Sequence, residues 1–240
     1  MKFNLFVNYY TDKHPERRDE LNFCILENLR NKSLNNIILI CSEADYKSLK
    51  DYVIKEDGIQ MFGTITYDRN GVLEKIIPVI TELRPTFNDY FRLMNKFCST
   101  DDNINIIANL DIIISEETLS NSLKYLTSRS VCVALSRHDI KQRDNYKDNA
   151  ELFNRPDTQD TWMFIGGVKN ISGADNTLGI AGIDNSVAYY LEQGGYTLVN
   201  PSITLKTYHL HLCNIRNYIN EATNHVQRIP PPYKLIHPTE

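Results

Sequence analysis

The sequence predicts an α/β protein: a mostly parallel central sheet flanked by helices, with a smaller second half. Three observations predict it. Short apolar runs alternate with helical patterns from Phe3 to Leu135, the order that builds parallel sheets. The run Ile37-Ile38-Leu39-Ile40-Cys41 is apolar throughout, as a strand buried on both faces must be. The chain of 240 residues is 42% hydrophobic, enough to bury one substantial core.

The elements follow in order. Phe3 to Val7 is a first strand. Pro15 to Arg30 is a helix, with Leu21, Cys24, Ile25 and Leu29 at helical spacing and charge on the other face. The strand Ile37 to Cys41 follows the turn-forming pair Asn35-Asn36. Ala44 to Ile54 is helical, and Ile59 to Ile65 is a third, weaker strand. Leu73 to Leu83 has a helical pattern that Pro78 kinks or breaks. Thr86 to Cys98 is a helix whose stripe of Phe87, Tyr90, Phe91, Met94 and Phe97 is core. Ile104 to Leu110 is the strongest strand, and a helix around Glu117 to Leu126 precedes the strand Val131 to Leu135.

Beyond that point His138 to Thr161 is polar and is expected to be a long functional or disordered loop. Trp162 to Ile165 is a short strand, and Asp184 to Gln193 a helix ended by Gly194-Gly195. Tyr196 to Val199 and Ile203 to Tyr208 are further strands. The tail carries Pro230-Pro231-Pro232 and is expected to wrap the surface.

Composition excludes several function classes. Against 26 Lys plus Arg stand 30 Asp plus Glu, a net charge of −4, which argues against bulk-charge nucleic-acid binding and against a polybasic membrane anchor. No apolar run approaches the roughly 20 residues of a membrane helix. The N-terminal apolar block is too short for a signal peptide. Cys24, Cys41, Cys98, Cys132 and Cys213 are scattered and apolar in setting, so they read as reduced core thiols of a cytoplasmic protein.

Five places carry chemistry. Asp111 ends an apolar run and precedes Ile112-Ile113-Ile114, where a carboxylate needs compensation. It either holds a divalent metal at a strand end or pairs with an Arg or caps a turn. His209 and His211 sit on alternate positions of a strand end and share a face, as metal ligands or as ordinary histidines. The segment Gly179-Ile180-Ala181-Gly182-Ile183-Asp184-Asn185 opens a helix. Its Asp184 or Asn185 is the N-cap on the local pattern, and Asp184 the alternative general base. Asp160-Thr161-Trp162 places the single Trp beside an acid, an arrangement suited to sugar, against the plainer reading of a strand anchor. Asn8-Tyr9-Tyr10 follows the first strand, where aromatics can stack on a base, and Arg84 precedes a helix start where an anion can sit.

In this order, the runs Asn8-Tyr9-Tyr10, Asn109-Leu110-Asp111, Gln159-Asp160-Thr161-Trp162 and Asn200-Pro201-Ser202 through His209-Leu210-His211 resemble the GT-A class of nucleotide-sugar glycosyltransferases. More narrowly they are similar to small glycosyltransferase-like proteins of bacterial polysaccharide clusters and large algal viruses. The resemblance implies a GT-A-like single domain over residues 1–215, with a nucleotide-sugar-binding half at 1–115, an acceptor half at 116–215 and a tail at 216–240. It implies a UDP- or GDP-sugar donor, a glycan acceptor and a divalent cation, Mn2+ or Mg2+. The metal-holding DxD motif of the class reads Asn109-Leu110-Asp111 here, with its first Asp replaced by Asn. By the resemblance Asp111 with His209 and His211 holds the metal. Asp184 deprotonates the acceptor in an inverting displacement. Asn8, Tyr9, Tyr10, Ser42, Arg84 and Asn109 face the nucleotide, and Asp160, Trp162 and Asn185 the sugar. The alternatives are a non-catalytic nucleotide-sugar or glycan binder of the same fold and a sugar nucleotidyltransferase.

Overall fold

The computed structural model describes every residue except 63, 64, 69, 214, 216–218, 221–224 and 227. The first half alternates as the pattern predicts. It runs β1 (Lys2–Asn8), α1 (Pro15–Arg30), β2 (Leu34–Cys41), α2 (Glu43–Glu56), a small pair β3 (Gln60–Phe62) and β4 (Ile65–Tyr67), and β5 (Ile76–Ile80). Then come α3 (Phe87–Phe97), β6 (Asn103–Ala108), β7 (Ile112–Ile114), α4 (Glu116–Ser122) and β8 (Val131–Leu135). The second half adds β9 (His138–Ile140), β10 (Ala150–Leu152), β11 (Thr161–Ile165), α5 (Ile183–Gln193), β12 (Thr197–Val199) and β13 (Thr207–His209).

Seven strands form the main sheet in the order β12-β8-β11-β6-β1-β2-β5. All its neighbours pair parallel except β11, which runs antiparallel to both β6 and β8. The strand period of two splits the side chains between two cores. Leu5, Val7, Ile37, Leu39, Ile104 and Ile106 face the layer of α1 and α2. Phe6, Ile38, Ile40 and Ile107 face α3 and α5. Burial on both faces is why these strands read as unbroken apolar runs.

A second sheet, β10-β9-β13-β7, stands beside the first. It explains how distant residues meet. β7 begins immediately after Asp111, and β13 pairs antiparallel to it with His209 opposite Ile112. The Leu210 N–H then donates to the Asp111 carbonyl at 3.0 Å. Helix α1 holds this sheet through two amides: Asn28 Nδ2 donates to Ile112 O and Asn31 Nδ2 to Ile114 O, each at 2.7 Å. The first turn of α1 therefore points at the end of β6.

Several expectations are corrected. Leu73 to Leu83 is no helix: a single 3₁₀ turn at Leu73–Lys75 leads into β5, an edge strand parallel to β2. The edge tolerates Pro78, and the β-branched run Ile76-Ile77 and Val79-Ile80 suits a strand. The polar stretch 138–161 is not one loop, because β9 and β10 pair within it. Residues 203–206 turn, and the strand starts only at Thr207. The expected strand Ile59 to Ile65 is split into β3 and β4, and its residues 63 and 64 lie outside the described residues.

Candidate active site

A cleft of about 520 Å³ opens where β1 and β6 end. That is where ligands gather in open α/β sheets. Asn8 and Asn109 lie at the strand ends; the rest of the lining includes one group around Asp111 and His209, its first wall, and the segment from Leu178 to Asn185, its second.

On the first wall, Asp111 receives Nη2 of Arg17 on Oδ2. The same oxygen lies 3.2 Å from His209 Nε2. Burial alone would raise the Asp111 carboxyl, but His209 and Arg17 overcome it and hold it far below the usual carboxylate range. His209 is itself oriented by Asp139, whose Oδ1 accepts from Nδ1 at 2.7 Å. Burial would lower the imidazole, yet the Asp111 and Asp139 carboxylates push it up to about 9. His211 Nε2 donates to the Ile215 carbonyl at 2.8 Å, which leaves its lone pair on Nδ1. Burial and then Arg17 lower the His211 imidazole.

Asp111, His209 and His211 each offer one ligand atom, and these atoms lie within 4.8 Å of one another. The donor set fits a divalent cation. Nδ1 of His209 is committed to a carboxylate, which aims Nε2 at the site, the usual outer-shell support of a metal-bound imidazole.

On the second wall, Asp184 sits in the first turn of α5. The expected cap is absent: the N-cap is Gly182, at φ +84°, and no side chain caps the helix. Asp184 is half-buried and takes no hydrogen bond among the described residues. Burial, then the neighbouring Asp160, raise its carboxyl well above the usual range. Gly179, at φ +76°, lets Arg84 lie against the loop, since a Cβ there would stand 2.4 Å from the guanidinium.

Between the walls runs a paired floor. Asp160 accepts from Asn109 Nδ2 at 2.6 Å and from Arg137 Nη1 at 3.2 Å. Arg137 also reaches Asp139 at 2.9 Å, which links the floor to His209. Asn185 is buried in the cleft lining, and its carbonyl accepts the Lys234 N–H from the tail.

Of the residues singled out from the sequence, Asn8, Tyr10, Arg84, Asn109, Asp111, Asp160, Asp184, Asn185, His209 and His211 line this one cleft. Three do not. Tyr9 is buried in the core and donates its hydroxyl to Asn22 at 2.7 Å, because side chains alternate along the extended chain and only Tyr10 turns outward. Ser42 caps α2 by accepting from the Asp45 N–H at 3.1 Å. Trp162 is fully buried and packs edge-on to Phe87 at 5.9 Å, as a strand anchor.

Sequence reading missed Arg17, Arg137 and Asp139. Arg17 looked like one more charge on the solvated face of a helix. Its buried position depends on partners 94 and 193 positions away. Asp139 carried no local signal, since β9 is three residues long and Asp139 meets His209 only by pairing with β13.

No protein-family model matches the chain, and no curated protein matches its sequence. Among solved structures the chain is similar to the mannosyltransferase PcManGT of Pyrobaculum calidifontis, determined in complex with GDP-Man and Mn2+. The identity is 13% and the TM-score 0.52, over 90% of this chain and 58% of that one. This chain therefore spans little more than half the length of that mannosyltransferase. It is also similar to a putative glucose-1-phosphate thymidylyltransferase from Bacillus anthracis, at 10% identity, TM-score 0.44, and 83% and 86% coverage. A third likeness is to residues 1–349 of S. aureus TarS, at 12% identity, TM-score 0.38, and 60% and 37% coverage. The fold is GT-A-like. Among the described residues no helix is long and apolar enough to cross a membrane.

Proposed function

We propose that the protein is a nucleotide-sugar-dependent glycosyltransferase, metal-assisted and inverting, acting on a glycan hydroxyl. One observation carries this reading: an acid and two imidazoles suited to a cation form one wall of a cleft whose other wall presents Asp184. The nucleotide-binding fold and the GDP-Man and Mn2+ of the mannosyltransferase support the choice of donor class and metal. Two imidazoles beside one carboxylate suit Mn2+ better than Mg2+, which prefers all-oxygen shells.

When bound, the cation neutralises charge on the departing nucleoside diphosphate. The chain's own residues do the rest. Asp111, His209 and His211 would hold the ion, with Asp139 fixing the ring of His209. Arg84 stands at the cleft edge against Gly179, where its guanidinium meets a phosphate oxygen. Tyr10 and Asn8 line the cleft at the end of β1 and would meet the nucleoside there. Asp184 takes the proton of the attacking hydroxyl, and burial, which raises its carboxyl, makes it the stronger base for that task. Asn109 does not favour a non-catalytic binder. Its amide secures Asp160, so it has a structural task that an Asp would not perform.

Calorimetry of UDP- and GDP-sugars with and without Mn2+ tests the reading. One nucleotide is expected to bind in a Mn2+-dependent manner, and Asp111→Ala to lose that dependence. Failure of every nucleotide-sugar to bind, with and without the metal, refutes it.

A further inference from the structure

Resting on the metal reading above, we propose that Arg17 is the resident counter-ion of Asp111 and competes with the divalent cation for it, so that it sets the metal affinity of the cleft. Arg17 is 4% exposed and comes from the first turn of α1. Its Nη1 donates to Glu20 Oε2 and to the Leu210 carbonyl, each at 2.9 Å, while Nη2 donates to Asp111 Oδ2. That oxygen is the one 3.2 Å from His209 Nε2. A cation held by Asp111 and His209 enters the space between these atoms and meets the guanidinium at close range. Like charges repel most strongly in such a sheltered setting.

The guanidinium cannot retreat far. Glu20 Oε1 accepts the N–H groups of Leu212 and Cys213, each at 2.8 Å, so the Arg17–Glu20 pair also secures the turn after His211. Metal entry therefore swings Nη2 off Asp111 while Nη1 keeps its two acceptors. A diphosphate arriving with the metal offers that released N–H a new acceptor. The ion alone is held weakly, and the ion with its nucleotide firmly.

The test is a Mn2+ titration of the full chain without donor, followed by calorimetry and by the electron paramagnetic resonance of unbound Mn2+. Arg17→Met matches the length of the side chain without its charge and is expected to tighten Mn2+ binding by about tenfold or more, the scale of a modest change in charge pairing. Arg17→Lys keeps a charge beside Glu20 but cannot span both acids, and gains less. The gain vanishes when Asp111→Asn is added. A merely structural arginine would leave Mn2+ affinity unchanged or lower it on removal. Equal or weaker binding in folded Arg17→Met overturns the inference and leaves the metal site standing. Absence of binding in the wild-type chain and in both variants overturns it together with the metal reading. If Arg17→Met does not fold, the lysine variant decides: tighter binding supports the inference and unchanged affinity overturns it.

Discussion

The two walls of the cleft differ in how their charges are balanced. On the wall built from α1, the end of β6 and β13, every charge has an opposite partner: Arg17 with Asp111 and Glu20, His209 with Asp111 and Asp139. On the wall built from the Gly179–Gly182 loop and α5, Asp184 feels the neighbouring acid Asp160 more strongly than Arg137, and among the described residues it forms no ion pair. Pairing keeps the acids of the first wall ionised, while burial and then Asp160 drive the Asp184 carboxyl the other way. A paired wall is suited to holding an ion, and an unpaired acid to moving a proton.

The largest test of this contrast is Asp184→Asn. The amide keeps the shape of the second wall but cannot accept the acceptor's proton. Transfer should fall by about 10²–10⁴-fold, the usual worth of general-base help. Donor affinity, which depends on the first wall, should stay within a factor of about two, well under the 1.4 kcal/mol that makes a tenfold change. Turnover measured by release of nucleoside diphosphate, alongside calorimetry of the donor, checks both. An unchanged rate removes Asp184 as the base.

The paired wall predicts a pH dependence of stability in the metal-free chain. The His209 imidazole is raised from 6.5 to about 9, so its contribution is complete below pH 6.5 and disappears as pH rises through 9. Asp139, lowered to about 2, contributes above its ordinary 3.8 and loses that contribution only as pH falls toward 2. His211 is lowered and runs the opposite way to His209, but only below its ordinary 6.5. Of the paired wall's groups, His209 is the one whose contribution changes between pH 6.5 and 9, with a loss of up to about 3 kcal/mol at 1.36 kcal/mol per unit. Urea midpoints at the two ends of that window should differ more in the wild type than in His209→Asn, and an equal fall in both would remove the His209 contribution.

The same contrast explains what the sequence could and could not show. Residues of the second wall announce themselves locally, because Gly179, Gly182 and Asp184 are neighbours at a helix start. Asp111 and the histidines were legible because a charge after an apolar run and an alternating pair at a strand end are local signals. Arg17 was not, since nothing within α1 distinguishes a buried arginine from Arg18 beside it. Element by element the logic is the same. Val131–Leu135 read correctly to the residue, because a central strand carries its own apolar pattern. The edge strand Ile76–Ile80 did not, because its pairing with β2 overrides an ambiguous spacing. The three-residue strands β9 and β10 exist only through their partners, and a polar segment conceals them.

The smallest expected effect sharpens the role of Asn109, which sits between the walls. Asn109→Asp would restore both acids of a DxD pair and, on the sequence pattern alone, should strengthen metal binding. The structure argues the reverse. Asn109 Nδ2 donates to Asp160 Oδ1 at 2.6 Å, and the Asn109 N–H donates to the Asp160 carbonyl at 3.1 Å. A second carboxylate would lose that side-chain donor and face Asp160 directly, in a buried place where Arg137 is already shared with Asp139. Removing a donor from a buried acceptor costs about 1–3 kcal/mol. The variant should therefore unfold at lower urea with no gain in Mn2+ affinity. A tighter Mn2+ titration at unchanged stability would show that the floor of the cleft, and not its first wall alone, is able to hold the ion.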